Sequence, residues 1–211
     1  MRWLRKHRLQ VVTHAVLLAP GLWLLLDAVR GRLGVDPVQA VQVRTGRLAI
    51  TLLVLTLAVT PLHRLLHRDW LPRSRRPLGL YAFAYACVHL FNFVVLDYRL
   101  DLTLLWADVA GKRFIFVGLG AILLLAALAV TSTAGWQRRL GRGWKGLQRL
   151  VYVAAPLAVA HFAWAAKVDL RLPLIYGAVV LVLLVARLPV VAETLERVPG
   201  RKTPDTPAPG D

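Results

Sequence analysis

Cysteine is nearly missing from this chain: Cys87 stands alone in 211 residues. One thiol inside an apolar run excludes an intramolecular disulfide, and with scattered histidines it cannot assemble the four convergent ligands of an iron–sulfur or structural zinc site. Acidic residues are also scarce, 11 against 27 Lys and Arg, and charge of either sign is nearly absent deep in the apolar runs. No internal repeat recurs at a fixed period. No segment has the makings of a soluble nucleotide-binding domain. Gly118-Leu119-Gly120 begins like a dinucleotide fingerprint, but no strand precedes it and no third glycine follows at the required offset, so close helix packing is the better reading.

What is abundant is apolar sequence. The chain is 57% hydrophobic with a mean hydropathy of +0.57, above the roughly 45–50% apolar content of soluble domains. Runs of about 20 residues recur, long enough to cross a ~30 Å hydrocarbon core as helices. The fold class that follows is an all-α integral membrane protein, a six-helix transmembrane bundle. The expected spans are Leu9 to Val29, Leu48 to Leu62, Leu78 to Leu96, Phe114 to Thr131, Leu150 to Ala166 and Leu172 to Val191. Pro61, Pro77 and Gly135 are expected to bound spans, and Pro20, Pro156 and Pro189 to lie within them. The first run follows Arg2, Arg5, Lys6 and Arg8 like a signal peptide, but it is long for a signal core and lacks a small-residue cleavage site, so it reads as a retained helix. The organisation is thus a basic N-terminus (1–8), a transmembrane domain (9–191) and a tail (192–211), disordered from about Pro199 where Pro, Gly and Asp accumulate.

A net charge of +16 invites a nucleic-acid reading, but the basic residues cluster between apolar runs rather than along one polar face, which fits membrane orientation. Counted by alternating sides, 18 of the 27 Lys and Arg fall with the two termini and 9 on the opposite side. The positive-inside rule then places both termini in the cytoplasm. Arg73, Arg75 and Arg76, with Arg138, Arg139, Arg142 and Lys145, suit anionic lipid, or alternatively the phosphate of a flavin nucleotide.

Six histidines are the ionisable residues of interest: His7, His14, His63, His67, His89 and His161. An ionisable side chain at membrane depth is costly and by default a functional candidate. His89 lies 11 residues after Leu78 and His161 lies 11 after Leu150, on spans running the same way. Both therefore rise about 17 Å and meet at one depth. Two facing neutral imidazoles are what a six-coordinate haem requires. His63 and His67 share a helix face beside Arg64, Arg68 and Asp69 and read as interfacial; His7 reads as solvated, and His14 stays an open candidate.

Arg75-Arg76-Pro77-Leu78-Gly79-Leu80-Tyr81-Ala82-Phe83-Ala84-Tyr85-Ala86-Cys87-Val88-His89-Leu90 resembles the third helix of the MsrQ (YedZ) family. Thr131-Ser132-Thr133, Arg138-Arg139-Leu140-Gly141, Trp144, Leu147, Arg149-Leu150-Val151-Tyr152 and His161-Phe162-Ala163-Trp164 do likewise. Asp36-Pro37, Thr45-Gly46-Arg47, Thr60-Pro61 and Leu174-Ile175-Tyr176 add weaker matches in the same order. The resemblance implies a ferric-reductase-like, haem b-binding subunit of the bacterial inner membrane. Such a subunit passes electrons from quinol to MsrP, a periplasmic molybdopterin enzyme that reduces methionine sulfoxide in proteins, and does not itself catalyse that reduction; FMN is also associated with the family. By the same resemblance His89 and His161 are haem ligands. Gln148 stands where the family usually has histidine, which puts a second haem in doubt and leaves a hydrogen-bonding role toward quinone or flavin. A small transporter or proton channel with intramembrane histidines is the alternative from another class. A self-sufficient ferric or oxygen reductase is a third, and it would need a nucleotide-binding domain.

Overall fold

The computed structural model describes residues 2–166 and 168–188, with side chains at 8 and from 10 onward. Pro189, the end of the sixth expected span at Val191, the tail from Pro199 and the side chain of His7 lie outside the described residues.

Every regular element described is helical: α1 (Arg2–Val29), α2 (Pro37–Leu66), α3 (Leu71–Phe91) with a π-helical continuation Asn92–Asp97, α4 (Leu102–Gly111), α5 (Arg113–Val130), α6 (Ala134–Leu140), α7 (Gly143–Gln148), α8 (Val151–Ala166) and α9 (Arg171–Val185). Five segments are long and apolar enough to cross a membrane, on α1, α2, α3 with its continuation, α5, and α7 with α8. The shorter apolar α9 packs against α8 and α2 as the sixth member of the bundle.

Several boundaries differ from the sequence expectation. α2 begins at Pro37 rather than Leu48, because the Asp36 carboxylate accepts the Gln39 N–H at 2.9 Å and Pro37 has no N–H to leave unpaired in the first turn. Arg44 and Arg47 therefore ride on the spanning helix rather than in a loop. α2 runs on to Leu66 and stops where His67 takes a left-handed conformation, φ 49°. Pro61 and Pro77 do not end their helices; each removes one ladder bond, which a packed membrane helix tolerates. The segments between the expected spans contain the short helices α4, α6 and α7.

α2 is the central helix. Its Ile50, Leu53 and Leu57 are buried against Ala82 and Tyr85 of α3, Leu125 and Leu128 of α5, Ala154 and Ala155 of α8, and Val180 of α9. Small residues at these contacts let backbones approach, which is how helices associate where no hydrophobic force separates them from lipid. Large apolar side chains such as Val12, Trp23 and Leu25 of α1 point outward, as a lipid-facing surface requires. α1 is tied down by Tyr85. Its hydroxyl donates to the Leu17 carbonyl at 2.8 Å and accepts the Gly21 N–H at 3.0 Å, entering the helical ladder just after Pro20.

At the other end of α2, Arg187 donates to the Leu57 carbonyl and the Tyr152 hydroxyl, both at 2.5 Å, and to Thr60 at 3.2 Å. This joins α2 and α8 to the end of α9.

Candidate functional site

Four helices frame the site. α2 packs closely on α3 and α5 on α8, whereas contacts between the two pairs are sparser, so a slot lies between them. His89 enters it from α3 and His161 from α8. Their ring centroids are 6.1 Å apart with planes at 89°, the one pair of histidine rings in contact among the described residues. α3 begins at Leu71, seven residues earlier than expected, yet the shared depth holds because Leu78 and Leu150 pack against the same core.

Each imidazole is oriented by a backbone carbonyl on the neighbouring helix. The Nδ1 of His89 donates to the Gln42 carbonyl at 3.0 Å, and that of His161 to the Phe114 carbonyl at 2.8 Å. A carbonyl only accepts, so both Nδ1 atoms carry the proton and both Nε2 atoms present a lone pair. This is how metal-binding histidines are usually held, with the second nitrogen fixed by a carbonyl.

The rings fit because the facing helices carry glycine. A Cβ on Gly46 would stand 2.9 Å from His89 Nδ1, and one on Gly118 only 2.5 Å from His161 Nδ1. Gly118 thus has the close-packing use expected of it, with histidine as the neighbour. The sequence also contained Gly46, within Thr45-Gly46-Arg47, but offered no sign of which ring it accommodates.

The residues suit a haem iron. His89 and His161 would hold the iron through the two Nε2 lone pairs that their carbonyl-bound Nδ1 atoms leave available, and the group would supply a one-electron redox centre there.

Sequence reasoning missed an amide relay beside His89. Asn92, on the first residue of the π-helical turn and 1% exposed, donates through Nδ2 to Gln42 Oε1 at 2.7 Å and to the Val38 carbonyl at 3.2 Å. Gln42 Nε2 in turn lies 3.2 Å from His89 Nε2 and donates to it. Asn92 Oδ1 is buried without a partner. A metal on His89 Nε2 competes with the Gln42 amide for one lone pair. Gln42→Leu is therefore expected to speed haem uptake about 2- to 10-fold, the worth of one net hydrogen bond, in stopped-flow mixing of haem with the unloaded protein. Slower uptake would show that the amide helps to hold haem rather than to guard the vacant ligand.

The other sequence-predicted residues lie elsewhere. Gln148 ends α7 and donates weakly to Thr131 Oγ1 at 3.3 Å and the Leu128 carbonyl at 3.4 Å, at the far end of the bundle from the histidine pair. Arg75 and Arg76 occupy the first turns of α3 near that same end. A cavity of about 50 Å³ adjoins Arg76, Leu125 and Ser132, far below the roughly 300–1,000 Å³ of ligand pockets. The arginines form a basic face suited to anionic lipid or to the phosphate of a flavin nucleotide. His14 meets the Tyr81 hydroxyl at 3.1 Å and His63 the Arg68 carbonyl at 3.1 Å. Neither imidazole meets another histidine ring among the described residues.

A membrane bundle with paired, carbonyl-oriented histidines between two helix pairs defines a class of intramembrane metal or haem carriers. The family described as "Ferric reductase like transmembrane component" matches residues 45–159, a stretch that holds Gly46, His89 and Gly118 but stops two residues before His161. A protein of Xanthomonas axonopodis pv. citri (strain 306), named "Protein-methionine-sulfoxide reductase heme-binding subunit MsrQ", is 43% identical over 181 residues, 83% of each chain. A Caulobacter vibrioides (strain ATCC 19089 / CIP 103742 / CB 15) protein of the same name is 43% identical over 170 residues, 80% of this chain and 81% of the other. The chain belongs to the MsrQ family of ferric-reductase-like transmembrane proteins.

Proposed function

We propose that the chain is the haem-bearing membrane subunit of a protein-methionine-sulfoxide reductase, carrying electrons from quinol to an MsrP-like periplasmic molybdopterin partner that performs the reduction. The observation that carries this reading is the His89–His161 pair, with both Nδ1 protons committed to carbonyls and the rings 6.1 Å apart. The relatives' name, a haem-binding subunit, gives the group its identity. With one cysteine there is no C-x-x-C-H site for covalent attachment, and the family resemblance implies that the haem is b-type. Bound there, it supplies a one-electron carrier whose potential answers to its ligands and their hydrogen bonds.

The residues do the rest. Gly46 and Gly118 admit the rings, the Gln42 and Phe114 carbonyls hold them in the ligating tautomer, and the lipid-facing apolar surface keeps the slot dry. The excess of Lys and Arg near the termini puts both in the cytoplasm of a bacterial inner-membrane protein, so the histidine end faces the periplasm and the partner. Gln148 lies at the cytoplasmic end, and glutamine is a poor iron ligand, so the chain holds one haem.

A reduced-minus-oxidised spectrum of the purified protein, with haem quantified per polypeptide, tests this. A haem b α-band at one haem per chain, bleached on adding the oxidised partner, is expected. A colourless protein from haem-replete cells would overturn the reading.

A further inference from the structure

A second site lies on the opposite face of α2. Trp23 and Leu24 of α1, Arg44, Arg47 and Thr51 of α2, and Tyr176 of α9 line a cleft of about 340 Å³, within the range of small-ligand pockets. At 100° per residue Arg44, Arg47 and Thr51 stand about 100–160° round α2 from Gly46, the residue against which His89 lies. One helix, about 10–12 Å across with its side chains, therefore separates the cleft from the histidine pair. Tyr176, from the family-like stretch Leu174-Ile175-Tyr176, meets Thr51 here from 125 residues away.

The polar groups of the cleft are few and directional. Thr51 Oγ1 donates to the Arg47 carbonyl at 2.7 Å. Its 2.7 Å contact with the Tyr176 hydroxyl therefore uses the tyrosine proton, leaving the phenolic oxygen as an acceptor. Arg44 is engaged by Asp27 at 2.9 Å. The Arg47 guanidinium makes no hydrogen bond or ion pair among the described residues, although it rides on a spanning helix, where an uncompensated charge is costly.

We propose that this cleft binds the head group of a quinol, resting on the electron-carrier reading given above. A quinol offers hydroxyl protons to the Tyr176 oxygen and an oxygen to the Arg47 N–H groups, a flat ring to Trp23, and an apolar tail to the lipid. The quinone, which has two electrons and two protons fewer than the quinol, carries only acceptors, so it would keep Arg47 but lose the bond to Tyr176, which favours release. A lipid phosphate also suits Arg47, but it has no proton for Tyr176, whose own is committed to Thr51.

The full-length haem-loaded protein, in neutral-lipid nanodiscs, is to be photolabelled with an azidoquinone and mapped by mass spectrometry. Label is expected on peptides containing Trp23 or Thr51, and excess decylubiquinol should displace it. Arg47→Gln should cut labelling about tenfold, the loss of a charge-assisted hydrogen bond, with haem content and spectrum unchanged. Tyr176→Phe should weaken competition by decylubiquinol more than by decylubiquinone, a difference that a merely structural tyrosine would not produce. Label elsewhere, undiminished label in Arg47→Gln, or displacement by phosphatidylglycerol but not by decylubiquinol would overturn the assignment. The electron-carrier reading is judged separately, by whether decylubiquinol reduces the wild-type haem. Reduction with unlabelled cleft peptides sinks only this site, and a labelled cleft without reduction sinks only that reading.

Discussion

Replacing His161 with alanine is expected to leave the protein with less than about a tenth of its haem, or with a high-spin remnant ligated by His89 alone. Losing even a group that merely orients a ligand costs about 10–100-fold in metal affinity, so losing the ligand costs at least as much. No neighbour can substitute. Cys87 is two residues from His89 and about 160° from it around α3, and His14 is held at Tyr81, eight residues or about 12 Å along α3 from His89. His89→Ala should behave alike, with Gln42 left without its imidazole partner. Haem per polypeptide and the low-spin α-band are the measurements. A normal low-spin spectrum at full stoichiometry in His161→Ala would show that the iron is held elsewhere.

The second large effect comes from a single methyl group. Gly118→Ala puts Cβ 2.5 Å from His161 Nδ1 and 2.7 Å from Cε1, a contact that neither the ring nor the α5 backbone can absorb without moving. The ring must turn away from the Phe114 carbonyl, which costs a buried hydrogen bond worth about 1–3 kcal/mol when left unmade and misaims Nε2. Haem affinity should fall about 10–100-fold. Gly120→Ala is the control: its added Cβ meets only Leu157 Cδ1, at 4.0 Å, and haem content should be unchanged. The two glycines are two residues apart on one apolar helix, so a general effect of alanine on α5 would strike both. Equal haem in the two variants would show that His161 is not seated against Gly118 in the loaded protein.

The proposed arrangement would also separate two redox partners in space. The histidine slot lies on one side of α2 and the proposed quinol cleft on the other, with α2 the most buried helix of the bundle. A rigid central helix of fixed width holds the two at one separation, as electron transfer requires, whereas lipid-facing α1 and α9 border only the cleft.

Membrane residence and helical architecture were legible in the sequence, because apolar runs near 20 residues have one stable form in a bilayer, where every backbone group must be satisfied within its own segment. The histidine pair was legible for a related reason: a helix converts residue count into depth, so equal offsets on like-directed spans become equal heights. Helix ends were less so. The onset of α2 at Pro37 was written in Asp36-Pro37 as a cap, but hydropathy alone sees the charges of Arg44 and Arg47 and stops at Leu48. Only the tertiary structure could decide which side of each helix faces which neighbour, since azimuth is fixed by packing between segments far apart in sequence. That packing set His89 against Gly46 and His161 against Gly118, stood Asn92 behind Gln42, and brought Tyr176 to Thr51. A string of residues carries depth as a count, but it carries contact only after the helices have chosen their partners.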